Sequence, residues 1–236
     1  AGAIFPHDVI KNAERDVSTR DVIDAQWAAL PNFMGDGHKA LAMVDVSGSM
    51  NCSVGGLSGT TCMHVAIALG LYVSDKNSGP FKDLFLTFST SPKFVHLTGK
   101  ITDKIGQMSR SNWSMTTNLE GAFDAILNHA IRNEVSAEDM PSTLLILSDM
   151  QFDACVRGTD ATDMIKQEYA AAGYSVPNVV FWNLMEYGNR PAKSSTPGVA
   201  LVSGFSPAIL SSVLGREIKS PYDTMMDVIG NPRYEF

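Results

Sequence analysis

Three short polar segments of this 236-residue chain carry the residues best suited to chemistry. Asp45-Val46-Ser47-Gly48-Ser49 closes an apolar run that begins at Ala40, and Ser148-Asp149 closes the run Thr143–Leu147 (TLLIL). Between them, Thr116-Thr117-Asn118 precedes a segment with helical spacing that starts at Leu119. In an open parallel sheet, ligands sit at the carboxyl ends of the strands, near the point where strand order reverses. If the two runs are such strands, two carboxylates and three or four hydroxyls share one edge. A hard divalent cation such as Mg²⁺ takes six oxygens in near-octahedral geometry and keeps water where it can. Ser47, Ser49 and a threonine hydroxyl can bind it directly, while Asp45 and Asp149 bind it or hold its waters. Two carboxylates balance the charge of the ion, and hydroxyls are weak donors. The ion therefore stays electrophilic, with one exchangeable position.

Other chemistries fit these residues less well. Ser47 and Ser49 lack the G-x-S-x-G context of a nucleophile elbow. Phosphatases of the haloacid-dehalogenase type place a second Asp two residues after the first, and here that position is Ser47. Cys52, Cys62 and His64 have no fourth zinc ligand in sequence reach. Cys52 and Cys62 are expected as reduced thiols. The glycines from Gly55 to Gly59 match neither phosphate-binding pattern, so they read as a loop insertion.

The elements that must position the site follow from the spacing of apolar residues. Helices are expected over Asp8–Val17 and Ser18–Leu30, with Trp27 anchoring the second one. Ala40–Val46 reads as a buried parallel strand ended by Asp45, followed by a helix over Met63–Ser74. Leu84–Phe88 and Lys93–Leu97 suggest a hairpin. Leu119–Ile131 is a helix with Leu119, Phe123, Ile126, Leu127 and Ala130 on one face. Strand Thr143–Leu147, helix Asp163–Ala172 and strands Val179–Trp182 and Gly198–Val202 come next. Helices over Ser206–Leu214 and Tyr222–Ile229 complete the chain. This alternation predicts an α/β fold, a doubly wound, mostly parallel sheet with helices on both faces. The domain is expected over residues 39–214, with helical extensions at 1–38 and 215–236.

Val44-Asp45-Val46-Ser47-Gly48-Ser49-Met50 resembles the first metal-site motif, D-x-S-x-S, of von Willebrand factor A domains. Thr117–Phe123 (TNLEGAF) resembles the second, a Thr before a helix, and Asp149 after TLLILS resembles the third. The likeness is nearest to the A-type domain of Ro ribonucleoproteins and to a related group of uncharacterised intracellular proteins. That group shares strings similar to DVSGSM, LSDMQFD, VFWN and PGVALVSGFS. The resemblance implies a metal-ion-dependent adhesion site made of Asp45, Ser47, Ser49, Thr117 and Asp149. Thr116 and Asp153 compete with Thr117 and Asp149, but the six-residue step to Phe123 and the strand-end position favour the latter pair. The implied cofactor is Mg²⁺, or Mn²⁺ or Ca²⁺, and the implied partner is a protein presenting a carboxylate to the open position.

Composition sets the outer limits. Apolar residues make up 44% of the chain and charged residues 18%, enough for one sizeable core and too apolar for disorder. Net charge is −7, and none of the 18 basic residues is adjacent to another, so no direct nucleic-acid ligand is expected. No run approaches the length of a membrane span. Sparse cysteines and the lack of a basic-then-apolar leader favour the cytoplasm. The expected function is a non-catalytic, metal-dependent protein-interaction module. The alternatives are a metal-dependent phosphoryl-transfer hydrolase, or the A-type part of a Ro-like RNA–protein particle. In Ro proteins RNA binding belongs mainly to a separate helical-repeat ring, and this chain is too short to hold one.

Overall fold

The apolar runs that read as strands are strands in the computed structural model. It describes residues 4–15, 20–32, 34, 39–55, 57–114, 118–149, 159–185, 199–204, 209 and 213. β1 (Ala40–Val44), β2 (Leu84–Thr87), β3 (Phe94–His96), β4 (Thr143–Ser148), β5 (Asn178–Asn183) and β6 (Val199–Ser203) form one sheet. Its order is β3-β2-β1-β4-β5-β6. The β2–β3 hairpin is antiparallel and every other pairing is parallel. This is the doubly wound α/β architecture expected from the sequence, with the reversal of strand order between β1 and β4.

Both faces of the sheet are covered, which is why β1, β2 and β4 are buried along their whole length rather than alternating. The chain is laid down as α1 (Pro6–Arg15), α2 (Arg20–Ala28), α3 (Cys62–Lys76), α4 (Ile101–Ser109), α5 (Leu119–Arg132) and α6 (Thr159–Ala171). Successive strand residues point to opposite faces and divide the core in two. Ala40, Ala42 and Val44 join Leu145 and Leu147 against α1 to α4. Leu41 and Met43 join Leu144 and Ile146 against α5 and α6. The first face is therefore built from small β1 side chains and the second from large ones.

Small residues on the first face let α3 lie close to the sheet. A Cβ at Gly70 would sit 2.5 Å from Val44 Cγ2 and 3.1 Å from Met108 Sδ. Gly70 is thus a packing glycine in the middle of a helix. Val44 is the last residue of β1, so the same contact sets the height of the segment that follows it.

The N-terminal helices pack on α3. Trp27 stands edge-on to Tyr72 at 6.3 Å, and its Nε1 donates to Asp75 Oδ2 at 3.1 Å. Glu14 Oε2 meets His64 Nε2 at 2.7 Å, while the His64 amide donates to the Thr61 hydroxyl that caps α3. α1 begins at Pro6 rather than Asp8, because Pro suits the first helical position and Asp8 Oδ2 accepts from the Phe5 amide. α4 was not expected from the sequence. It buries Ile101, Ile105 and Met108 at helical spacing, and Met108 rests on Gly70. α6 starts four residues earlier than expected, and α3 and α5 lie within two residues of their expected bounds. Of the helix expected over Ser206–Leu214, Ile209 and Val213 are described and pack against the α1–α4 core. The helix expected over Tyr222–Ile229 lies outside the described residues. Among those residues, no helix is long and apolar enough to cross a membrane.

Gly70→Ala tests the close approach of α3. Overpacking against a β-branched neighbour costs about 1–3 kcal/mol, and Ala returns about 1 kcal/mol of helix propensity. The expected net effect is a loss of about 1 kcal/mol in urea unfolding. A more stable variant would show that α3 is free to shift.

Candidate metal centre

β1 ends at Val44, yet its ladder continues one step further, with the Asp45 amide donating to Leu147 O at 3.0 Å. Beyond that point the chain parts. The connection through α3 leads to β2 on one side, and the connection through α6 leads to β5 on the other. At the carboxyl ends of β1 and β4, Asp45 and Asp149 lie close enough for the charge of one to act on the other. They are 3% and 1% exposed.

Local chemistry explains the turn after Asp45. Its Oδ1 accepts the Ser47 amide at 2.9 Å, the usual way an Asp closes a turn on its own backbone. A 3-10 turn over Gly48–Asn51 follows, anchored by the buried side chain of Met50. Ser47 is half-buried and Ser49 is exposed, and their hydroxyls lie 3.0 Å apart. Carboxylates thus form the floor of the site and hydroxyls its rim. A Cβ at Gly48, between the two serines, would meet nothing within 4 Å.

Four of the five residues expected at the site fall within the described residues. Asp45, Ser47 and Ser49 sit together after β1, and Asp149 follows the adjacent strand β4. Thr117 lies outside the described residues, as do its competitor Thr116 and the alternative Asp153. Asn118, next in sequence after Thr117, donates its amide to Ser89 O at 3.3 Å just past β2. Its side chain accepts from the Gly121 amide at 2.9 Å and so caps α5. Ser148 is a site residue that the sequence reading did not assign. Its hydroxyl is fully buried and donates to Asp45 Oδ2 at 3.0 Å. The signal was a hydroxyl at a strand end beside a carboxylate, but its partner is 103 residues away.

Burial holds the Asp45 carboxyl above its ordinary range, and the charge of Asp149 adds to that effect. Hydrogen bonds from Ser47 and Ser148 pull the other way without overcoming it. Two desolvated carboxylates beside neutral hydroxyls make a donor set that a hard, partly hydrated divalent cation accepts. Among the described residues, no three His, Cys, Asp or Glu side chains are grouped so as to hold a metal ion, zinc included. His64 is held by Thr61 and Glu14, and the Cys52 and Cys62 thiols face each other with their sulfurs 3.2 Å apart. Burial and the adjacent Cys52 push the Cys62 thiol up to about 12.

Residues 39–229 match a family described as a domain of unknown function, DUF7788. The chain belongs to that family. The DUF7788 chain is also similar to uncharacterized protein L728 of Acanthamoeba polyphaga mimivirus. The two are 31% identical, over 96% of this chain and 40% of the viral protein. Among solved structures it resembles the Ro (RSR) protein of Deinococcus radiodurans, with a TM-score of 0.59 and 18% identity. That match covers 90% of this chain and 44% of the Ro chain. It establishes a shared, von Willebrand factor A-like fold. The chain therefore spans less than half the length of both relatives.

The raised Asp45 carboxyl makes stability depend on pH in the metal-free protein. A carboxyl that holds its proton more tightly when folded adds stability below its unfolded value of about 3.9. That contribution is lost as pH rises through the folded value. In urea unfolding with chelator, wild type should therefore lose stability relative to Asp45→Asn as pH rises from 4 to 7. Equal slopes for the two proteins would refute the effect.

Proposed function

We propose that this domain is a non-catalytic, metal-dependent protein-interaction module. Asp45, Ser47, Ser49, Thr117 and Asp149 would hold Mg²⁺, or Mn²⁺ or Ca²⁺, and the partner would be a protein offering a carboxylate. The observation that carries the reading is the pair of buried carboxylates at the strand-order reversal, with two hydroxyls 3.0 Å apart above them. When bound, the ion would supply a Lewis-acidic position open to an anionic oxygen. The chain supplies the rest. Asp45 and Asp149 contribute negative charge from below, and the Ser47 amide and the Ser148 hydroxyl fix the orientation of Asp45. The Ser47 and Ser49 hydroxyls would contribute from the more exposed side, from which the incoming carboxylate would approach. Ser47 stands where a phosphoryl-transfer enzyme of the haloacid-dehalogenase type would need its second carboxylate, which favours binding over catalysis.

Calorimetric titration with Mn²⁺ is the direct test, with wild type compared with Asp45→Ala. Wild type should bind one ion, and the variant should show no heat of binding. At a concentration one hundred times Kd, the ion should add about 2.7 kcal/mol to wild-type stability and nothing to the variant. A pull-down in Mg²⁺ against chelator should recover partners only with the ion present. Equal binding heats for wild type and Asp45→Ala would defeat the metal assignment. Identical captures in Mg²⁺ and chelator would defeat the mode of recognition.

A further inference from the structure

The turn that carries Ser49 ends at Cys52, and α3 begins at Cys62. The backbone brings these two residues face to face. The Cys62 amide donates to Cys52 O at 3.0 Å, the Val54 amide donates to Thr60 O at 3.0 Å, and Ser53 pairs with Thr61 in an antiparallel bridge. The sulfurs are 3.2 Å apart, and Cys62 Sγ also meets Leu184 O at 3.2 Å, which holds the buried thiol in place. A disulfide needs a sulfur separation of about 2.05 Å, so closure requires a movement of about 1.2 Å. The paired backbone already holds the two side chains next to each other. The two thiols differ in access, since Cys52 is half-buried and Cys62 is fully buried.

We propose that Cys52 and Cys62 are a redox site that forms a reversible disulfide on exposure to hydrogen peroxide. The half-buried Cys52 sulfur attacks the peroxide, the O–O bond breaks, and Cys52 becomes a sulfenic acid as one water leaves. The Cys62 sulfur then attacks the Cys52 sulfur, the S–O bond breaks, and a second water carries off the hydroxyl and the thiol proton. Two thiols are oxidised by two electrons and one peroxide is reduced to two waters. A dithiol reductant reverses the step by thiol–disulfide exchange. The bond would tether the Ser53–Thr61 loop next to the turn that carries Ser49 and the candidate metal centre. Its formation does not depend on whether a cation binds there.

The full chain, reduced and freed of reductant, should be treated with hydrogen peroxide and mapped by peptide mass spectrometry. A linked pair of peptides carrying Cys52 and Cys62, two hydrogens lighter than their sum, is expected, with return to free thiols in dithiothreitol. Cys155→Ser should behave the same, and Cys52→Ser should yield no intramolecular link to Cys62. Cys52 lies on a partly open loop, so that variant keeps the core intact. A link from either cysteine to Cys155 instead would overturn the proposal. So would a link between two chains, or sulfinic acid on Cys52 with no linked peptide.

Discussion

Five residue pairs join β1 to β4, from Ala40–Thr143 to Val44–Leu147, and the Asp45 amide extends the ladder past the last of them. That register fixes two things together. It brings Asp45 against the end of β4, where Ser148 bonds it, and it turns Ala40, Ala42 and Val44 toward α3. A one-residue slip would exchange the faces of β1. Leu41 and Met43 would then meet a helix that has room only for small side chains at Gly70. The packing of the first core layer and the assembly of the polar site are enforced by the same pairing.

Electrostatics set the second constraint. Carboxylates removed from water resist ionisation unless hydrogen bonds or an opposite charge compensate. Asp45 has an amide and a hydroxyl in hydrogen-bond contact, and these only partly offset its burial and the presence of Asp149. The fold thus buries two carboxyls at its strand-order reversal. The cost falls on the folded state of the chain by itself, and a bound cation would remove it.

Much of this arrangement was legible in the sequence, for physical reasons. Short continuous apolar runs such as TLLIL, bounded by turn residues, fit strands covered on both faces, so β1 and β4 stood out, and the polar residues just after them fall at the carboxyl edge of the sheet. Asp45, Ser47, Ser49 and Asp149 could be read from that rule. Ser148 could not be, because its role comes from a contact made only when two distant strands pair. α4 escaped notice although Ile101, Ile105 and Met108 have helical spacing, since it is nine residues long and carries Gly106 in its interior. The start of α1 was misplaced because Pro6 outweighs Asp8 as a helix opener.

Gly48 lies on the exposed side of the polar cluster, between the two serines in sequence. A Cβ there would meet nothing within 4 Å, so the turn accepts a larger residue while Met50, Asp45 and the strands beneath stay in place. Change at this exposed position is therefore uncoupled from the integrity of the core.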